Sequence, residues 1–244
     1  MRNGAAHLLG VVSLGVNAVF RPGFVVRWLS RRFPEVLFQR PEAGPMVGLT
    51  FDDSPHETLT PRILDLLARY GAHATFFVIG EHLPGNEEVV RRLVGEGHEL
   101  GNHMMSDASS RRLAPEEFER QLVQTHALIA PFGEARWFRP GHGWFNRRML
   151  EQIARHGYQC AMASAYALEF WQVPGPYLGR HLLRNIGPGG VIVIHDGAAD
   201  RERTLLALER VLPVLRGRGY RIVTLSELAG AGEGDERRLP GGAA

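Results

Sequence analysis

Short apolar runs alternate along this chain with longer stretches in which apolar residues recur at spacings of three and four. The runs at 47–51, 74–79, 99–102, 137–139, 158–162, 191–194 and 221–225 have the length of strands, and several stop at Asp, Gly or Pro. The stretches 59–70, 87–96, 115–130, 146–156, 177–185 and 202–217 carry helical spacing, and Pro115-Glu116-Glu117 has the form of a first helical turn. Pro188-Gly189-Gly190 predicts a turn before the strand at 191–194. Strand and helix alternating in this way predict an α/β fold with a parallel sheet, either open and doubly wound or closed as a barrel. In both forms ligands gather beyond the C-terminal ends of the strands. From 230 to 244 the chain is rich in Gly, Glu and Arg with little to bury, which predicts a disordered tail.

The first 45 residues follow a different pattern. Residues 5–20 contain no Asp, Glu, Lys or Arg, and they are bracketed by Arg2 on one side and Arg21, Arg27, Arg31 and Arg32 on the other. That stretch is shorter than the roughly 20 apolar residues a spanning helix needs. Phe24, Val25, Val26, Trp28, Leu29 and Phe33 then interleave with the arginines, the pattern of a basic amphipathic segment lying on a membrane surface. The expectation is either a signal anchor or an interfacial helix. It places the protein at a membrane or in the cell envelope, and in the cytoplasm if neither reading holds.

A chain of 244 residues, 44% hydrophobic, is long enough for one large domain, here bounded at 46–229. A formal net charge of +2 gives no nucleic-acid footprint. Cys160 is the only cysteine, which excludes an intramolecular disulfide and a cysteine-based zinc site, so any metal must be held by His, Asp or Glu. Nothing in the pattern fixes an oligomeric state.

Chemistry collects where strands end. Asp52 and Asp53 follow the apolar run at 47–51 and precede Ser54-Pro55; an Asp pair alone reads equally as a solvated turn or a helix cap. Neighbouring strand residues face opposite ways, so the two carboxylates are expected to divide metal binding and proton transfer between them. After the third strand, His103 and Asp107 stand four residues apart, a spacing that puts both on one side if the turn is helical. The fourth strand ends in Arg139-Pro140-Gly141-His142-Gly143, where Arg139 is placed to orient a carboxylate and the glycine turn to donate backbone N–H groups to an oxyanion. The run at 191–194 delivers His195, a natural general acid, to the same rim.

Taken together, Thr50-Phe51-Asp52-Asp53-Ser54-Pro55, His103 with Asp107, Arg139 to Gly143, and Val193-Ile194-His195-Asp196 resemble the ordered motifs of the NodB-like polysaccharide deacetylases, carbohydrate esterase family four. The resemblance implies a distorted seven-stranded (β/α) barrel and metal-dependent hydrolysis of an N-acyl group, usually acetyl, on an amino sugar of chitin-like, peptidoglycan-like or lipid-linked material. It implies that Asp52 is the base, held by Arg139, that Asp53 and His103 are metal ligands, and that His195 protonates the leaving amine. It also implies that the His142 N–H meets the oxyanion and that Val193 lines the acyl pocket. Asp107 stands where the family has a second metal histidine, which shifts the expected ion a little from zinc toward manganese or cobalt. Ser54 replaces a glycine, and the tryptophan motif that tunes the acid histidine has Glu169, near Trp171, as its one candidate. An allantoinase-like hydrolase of cyclic amides and a catalytically inactive carbohydrate-binding module are the competing expectations.

Overall fold

The computed structural model describes residues 23–167, 174–197 and 202–231. Its centre is β2 (Met46–Ser54), whose apolar sequence is buried on both faces. Val47, Leu49 and Phe51 point into the layer between sheet and helices, where Phe51 stacks on Phe76 at 4.6 Å between ring centroids. Met46 faces the other way, into a second cluster with Phe77, Trp137, Val191, Val193, Leu225 and Leu228. This is the alternation of a strand covered on both sides, and burying each such Leu or Phe contributes on the order of 1.5–3 kcal/mol.

Around β2 the strands β1 (Val36–Leu37), β3 (Thr75–Val78), β4 (Glu99–Asn102), β5 (Trp137–Phe138), β6 (Gln159–Ala161), β7 (Ala165–Tyr166), β8 (Gly190–His195) and β9 (Arg221–Val223) complete a nine-stranded sheet. The order is β1-β6-β5-β4-β3-β2-β8-β7, with β9 paired to the first residues of β2 and every strand pair parallel. Gln39 makes an isolated bridge to Gly190, so the sheet curls round until the chain after β1 meets β8. The outer helices are α1 (Gly23–Arg32), α2 (Leu59–Arg69), α3 (Glu87–Gly95), α4 (Pro115–Ile129), α5 (Arg147–Arg155), α6 (Gly175–Asn185) and α7 (Glu202–Gly217). The short α8 (Leu225–Gly230) packs against the inner face of β2, where a Cβ on Gly48 would meet Leu228 at 3.0 Å and Leu225 at 3.1 Å.

All seven strands expected from the pattern are present, in a curled parallel half-barrel. Two more, β1 and β7, lie outside the expected runs; each is two residues long, as is β5. Residues before Met46 belong to the barrel as well: β1 pairs with β6, and Val26, Leu29, Val36 and Phe38 sit in the main core. At the other end α8 reaches Gly230, and the tail expected from there onward lies, after Ala231, outside the described residues.

Candidate active site

The strand register assembles the rim. Asp52 and His195 are direct cross-strand partners at the ends of β2 and β8, and Thr50 and Val193 are partners one inward-facing step below. Val193 is buried on the inner face, forming part of the floor beneath the rim. Regular alternation would turn Asp53 out toward the helices, but the β2–β3 register shifts between Phe51 and Ser54, and Asp53 takes a φ of 67°. Both carboxylates therefore reach one imidazole nitrogen: His103 Nε2 lies 4.0 Å from Asp52 Oδ2 and 3.6 Å from Asp53 Oδ1.

Arg139 is buried and fully engaged. Its Nη1 donates to Asp52 Oδ1 at 2.5 Å and to Thr50 Oγ1 at 2.7 Å, Nε donates to the Ala161 carbonyl at 3.1 Å, and the guanidinium lies 4.1 Å from the centre of the Phe77 ring. Burial would push the Asp52 carboxyl up, and the Arg139 guanidinium, foremost among its neighbours, more than offsets it, so its pKa is held below the ordinary carboxylate value. His103 is buried, with Nδ1 2.8 Å from the Arg139 carbonyl. A carbonyl only accepts, so Nδ1 carries the proton and Nε2 presents its lone pair to the two carboxylates. Asp53 and His103 are thus a carboxylate and an imidazole side by side, two donors of the kind a divalent cation takes.

Asp107 is placed elsewhere. The segment after His103 is not helical: Met104 adopts a φ of 73°, its N–H donating to the Asn102 side chain at 2.9 Å. The loop that follows leaves Asp107 largely exposed, 3.6 Å from His142 Nε2. The spacing argument for a shared helical face fails there, and no group of three His, Cys, Asp or Glu with metal-binding geometry occurs among the described residues. In the Gly141–Gly143 turn His142 has a φ of 58° and an exposed ring. The Gly141 N–H donates to Ser110 Oγ at 2.9 Å and the Gly143 N–H to the Pro140 carbonyl at 3.1 Å, whereas no partner among the described residues takes the His142 N–H. Glu169 and Trp171 lie outside the described residues.

One rim residue carries a role that the sequence reading did not give it. Asp196 faces the helix layer, fully buried, and accepts from Ser54 Oγ at 2.6 Å and Thr60 Oγ1 at 2.5 Å while its own N–H donates to the Asp52 carbonyl at 3.2 Å. Burial pushes its carboxyl up to about 7, against the lowering effect of the two hydroxyls. It ties the end of β8 to the end of β2 and to the first turn of α2. Gly197 then passes so close to Asp53 that a Cβ there would lie 2.1 Å from the Asp53 carbonyl oxygen. The signal was legible: an acid in phase with the apolar outer residues of a buried strand must find donors. Away from the rim, a cavity of about 600 Å³ opens beside α1, β1 and α5, lined by Ser30, Glu35, Arg40, Trp137, Arg147 and Gln159, and none of the rim residues reaches it.

A curled parallel half-barrel that brings Asp52, Asp53, His103, Arg139 and His195 together at its C-terminal rim has the architecture of a (β/α)-barrel hydrolase. The chain belongs to the polysaccharide deacetylase family, whose profile matches residues 39–161, and which hydrolyses the amide of N-acetylated amino-sugar glycans. A peptidoglycan-N-acetylglucosamine deacetylase of Bacillus cereus is 35% identical over 196 residues, 79% of this chain and 92% of the relative. A chitooligosaccharide deacetylase of Sinorhizobium fredii is 32% identical, over 75% of this chain and 92% of the relative. Among solved structures, a peptidoglycan N-acetylglucosamine deacetylase in complex with a hydroxamate-type benzamide superposes with a TM-score of 0.78 at 27% identity, covering 82% of this chain and 95% of that one. A family 4 acetyl xylan esterase of Clostridium thermocellum, in complex with a cobalt ion, superposes with a TM-score of 0.70 at 29% identity, over 75% and 89% of the two chains.

Proposed function

We propose that this protein removes the N-acetyl group from an amino-sugar glycan of the peptidoglycan or chitin type, with Asp52 as base and His195 as acid. The observation that carries the reading is Asp52 itself, a buried carboxylate kept ionised by Arg139 and facing His195 across the end of the β2–β8 pair. Asp52 accepts a proton from the attacking water, and His195 delivers one to the departing amine. The His142 N–H donates to the carbonyl oxygen as negative charge develops on it, and Val193 lines the floor against the acetyl methyl. Asp53 and His103 are the proposed ligands of a divalent cation, zinc first with manganese or cobalt as alternatives, which when bound polarises the amide and makes water a better nucleophile at neutral pH. Trp144, half-buried with the Arg111 guanidinium 5.1 Å from its ring centre, adds a flat face beside the His142 turn for a sugar ring. Membrane contact through the N-terminal segment is a separate proposal, resting on α1 rather than on the rim.

Acetate release from N-acetylglucosamine oligomers, measured after metal stripping and after adding back zinc, manganese or cobalt singly, tests the reading. Turnover restored by one ion is expected. Glycan binding with no acetate released under any ion would make the protein a binding module, and turnover of a cyclic amide with none of N-acetyl sugars would make it an imidase.

A further inference from the structure

The outer face of α1 carries a pattern that the catalytic rim does not use. Val26 and Leu29 are buried in the main core and hold the helix to the barrel. On the opposite side Phe24, Arg27, Trp28 and Arg31 are exposed, at the i, i+3, i+4, i+7 spacing that makes one continuous stripe. Phe24 is 67% exposed, the most of any large apolar side chain among the described residues, and Trp28 is 45% exposed. Two aromatic rings on one helical face, alternating with guanidinium groups, form an amphipathic surface with no covering element among the described residues. Neither Arg27 nor Arg31 forms an ion pair among the described residues.

The chain around the stripe says what covers it. From Met1 to Pro34 there are five arginines and no acid, and immediately upstream runs the uncharged apolar sequence of residues 5–20. Aromatic rings that sit at headgroup depth, guanidinium groups that pair with phosphates, and an apolar sequence leading into them are the three requirements for binding at an anionic lipid surface. We propose that α1 seats the protein on an anionic membrane through Phe24, Arg27, Trp28 and Arg31. The proposal is independent of the chemistry at the rim. A sugar polymer is the other surface on which aromatic rings and arginines stack, but it gives no use to a net positive segment free of acids, so lipid is the occupant the charge favours.

The test uses the full chain and unilamellar vesicles of phosphatidylcholine with and without phosphatidylglycerol. Wild-type protein should co-float with the anionic vesicles, bind the neutral ones weakly, and detach as salt is raised. R27E/R31E should lower the partition coefficient by roughly thirtyfold, and F24S/W28S by about tenfold or more. Helical circular dichroism and acetate release from soluble oligomers should be unchanged in both variants. The proposal is overturned if wild type ignores anionic vesicles, if both variants bind like wild type, or if binding is the same on neutral and anionic lipid at every salt. It is equally overturned if F24S/W28S keeps its vesicle binding and loses binding to insoluble N-acetylglucosamine polymer, which would make the stripe a glycan platform.

Discussion

Asp52 works as an anion where burial alone would keep it neutral, and Arg139 is the residue that reverses that outcome. Asp52→Asn keeps the volume and an acceptor for Arg139 but cannot take a proton from water. Acetate release should fall by roughly 10²–10⁴ while metal content after dialysis stays the same; undiminished turnover would remove Asp52 from the base role. Asp107 calls for the opposite test. Exposed and paired with His142, it should matter little to metal affinity, so Asp107→Ala is expected to cost less than about fivefold, against a large loss in Asp53→Asn. Equal losses in the two variants, read by competition with a chelating dye, would return Asp107 to the ligand set. Asp52, Arg139 and His195 were legible because each ends a short apolar run. The place of Asp107 was not, because the four-residue spacing assumes a helix and one left-handed residue, Met104, undoes it.

The elements show where this chain concentrates its irregularity. Asp53, Met104 and His142 are the non-glycine residues with positive φ among those described; Asp53 is the next-to-last residue of β2, and Met104 and His142 follow the ends of β4 and β5. Each such conformation costs on the order of 1–2 kcal/mol, and all three re-aim residues at the rim, where strain is expected to collect. None is visible in a hydrophobic pattern. The opposite ends of the strands follow packing instead. His98, just before β4, is buried with Nδ1 accepting from the Ala74 N–H at 3.2 Å, and burial first, with His73 and Arg92 adding to it, pushes its pKa from 6.5 down to about 4. Between those values the unfolded chain binds a proton that the folded chain refuses, so this contribution is fully present above pH 6.5 and lost as pH falls toward 4. His98→Gln, which keeps an acceptor without a titrating ring, should flatten that fall in urea unfolding curves recorded across the window; an unchanged slope would show that other groups carry the acid sensitivity.

At the scale of the molecule β2, β3 and β8 were the most legible strands, because a parallel sheet covered on both faces turns each of them into a nearly unbroken apolar run. The two-residue strands β1 and β7 and the six-residue α8 have too few residues to show a period, so the curl of the sheet and the sealing of its lower end had to come from the fold. Leu228 is fully buried against Gly48, which offers no side chain to move into a void. Leu228→Ala should therefore cost about 2–5 kcal/mol, seen as a lower thermal midpoint, with acetate release retained at temperatures where the variant stays folded. Leu225 and Leu228 fill the barrel from below, so among the described residues that end is closed and the inner face is open toward the rim. An acetyl group cleaved at the proposed site would therefore leave on the same side as the sugar that carried it.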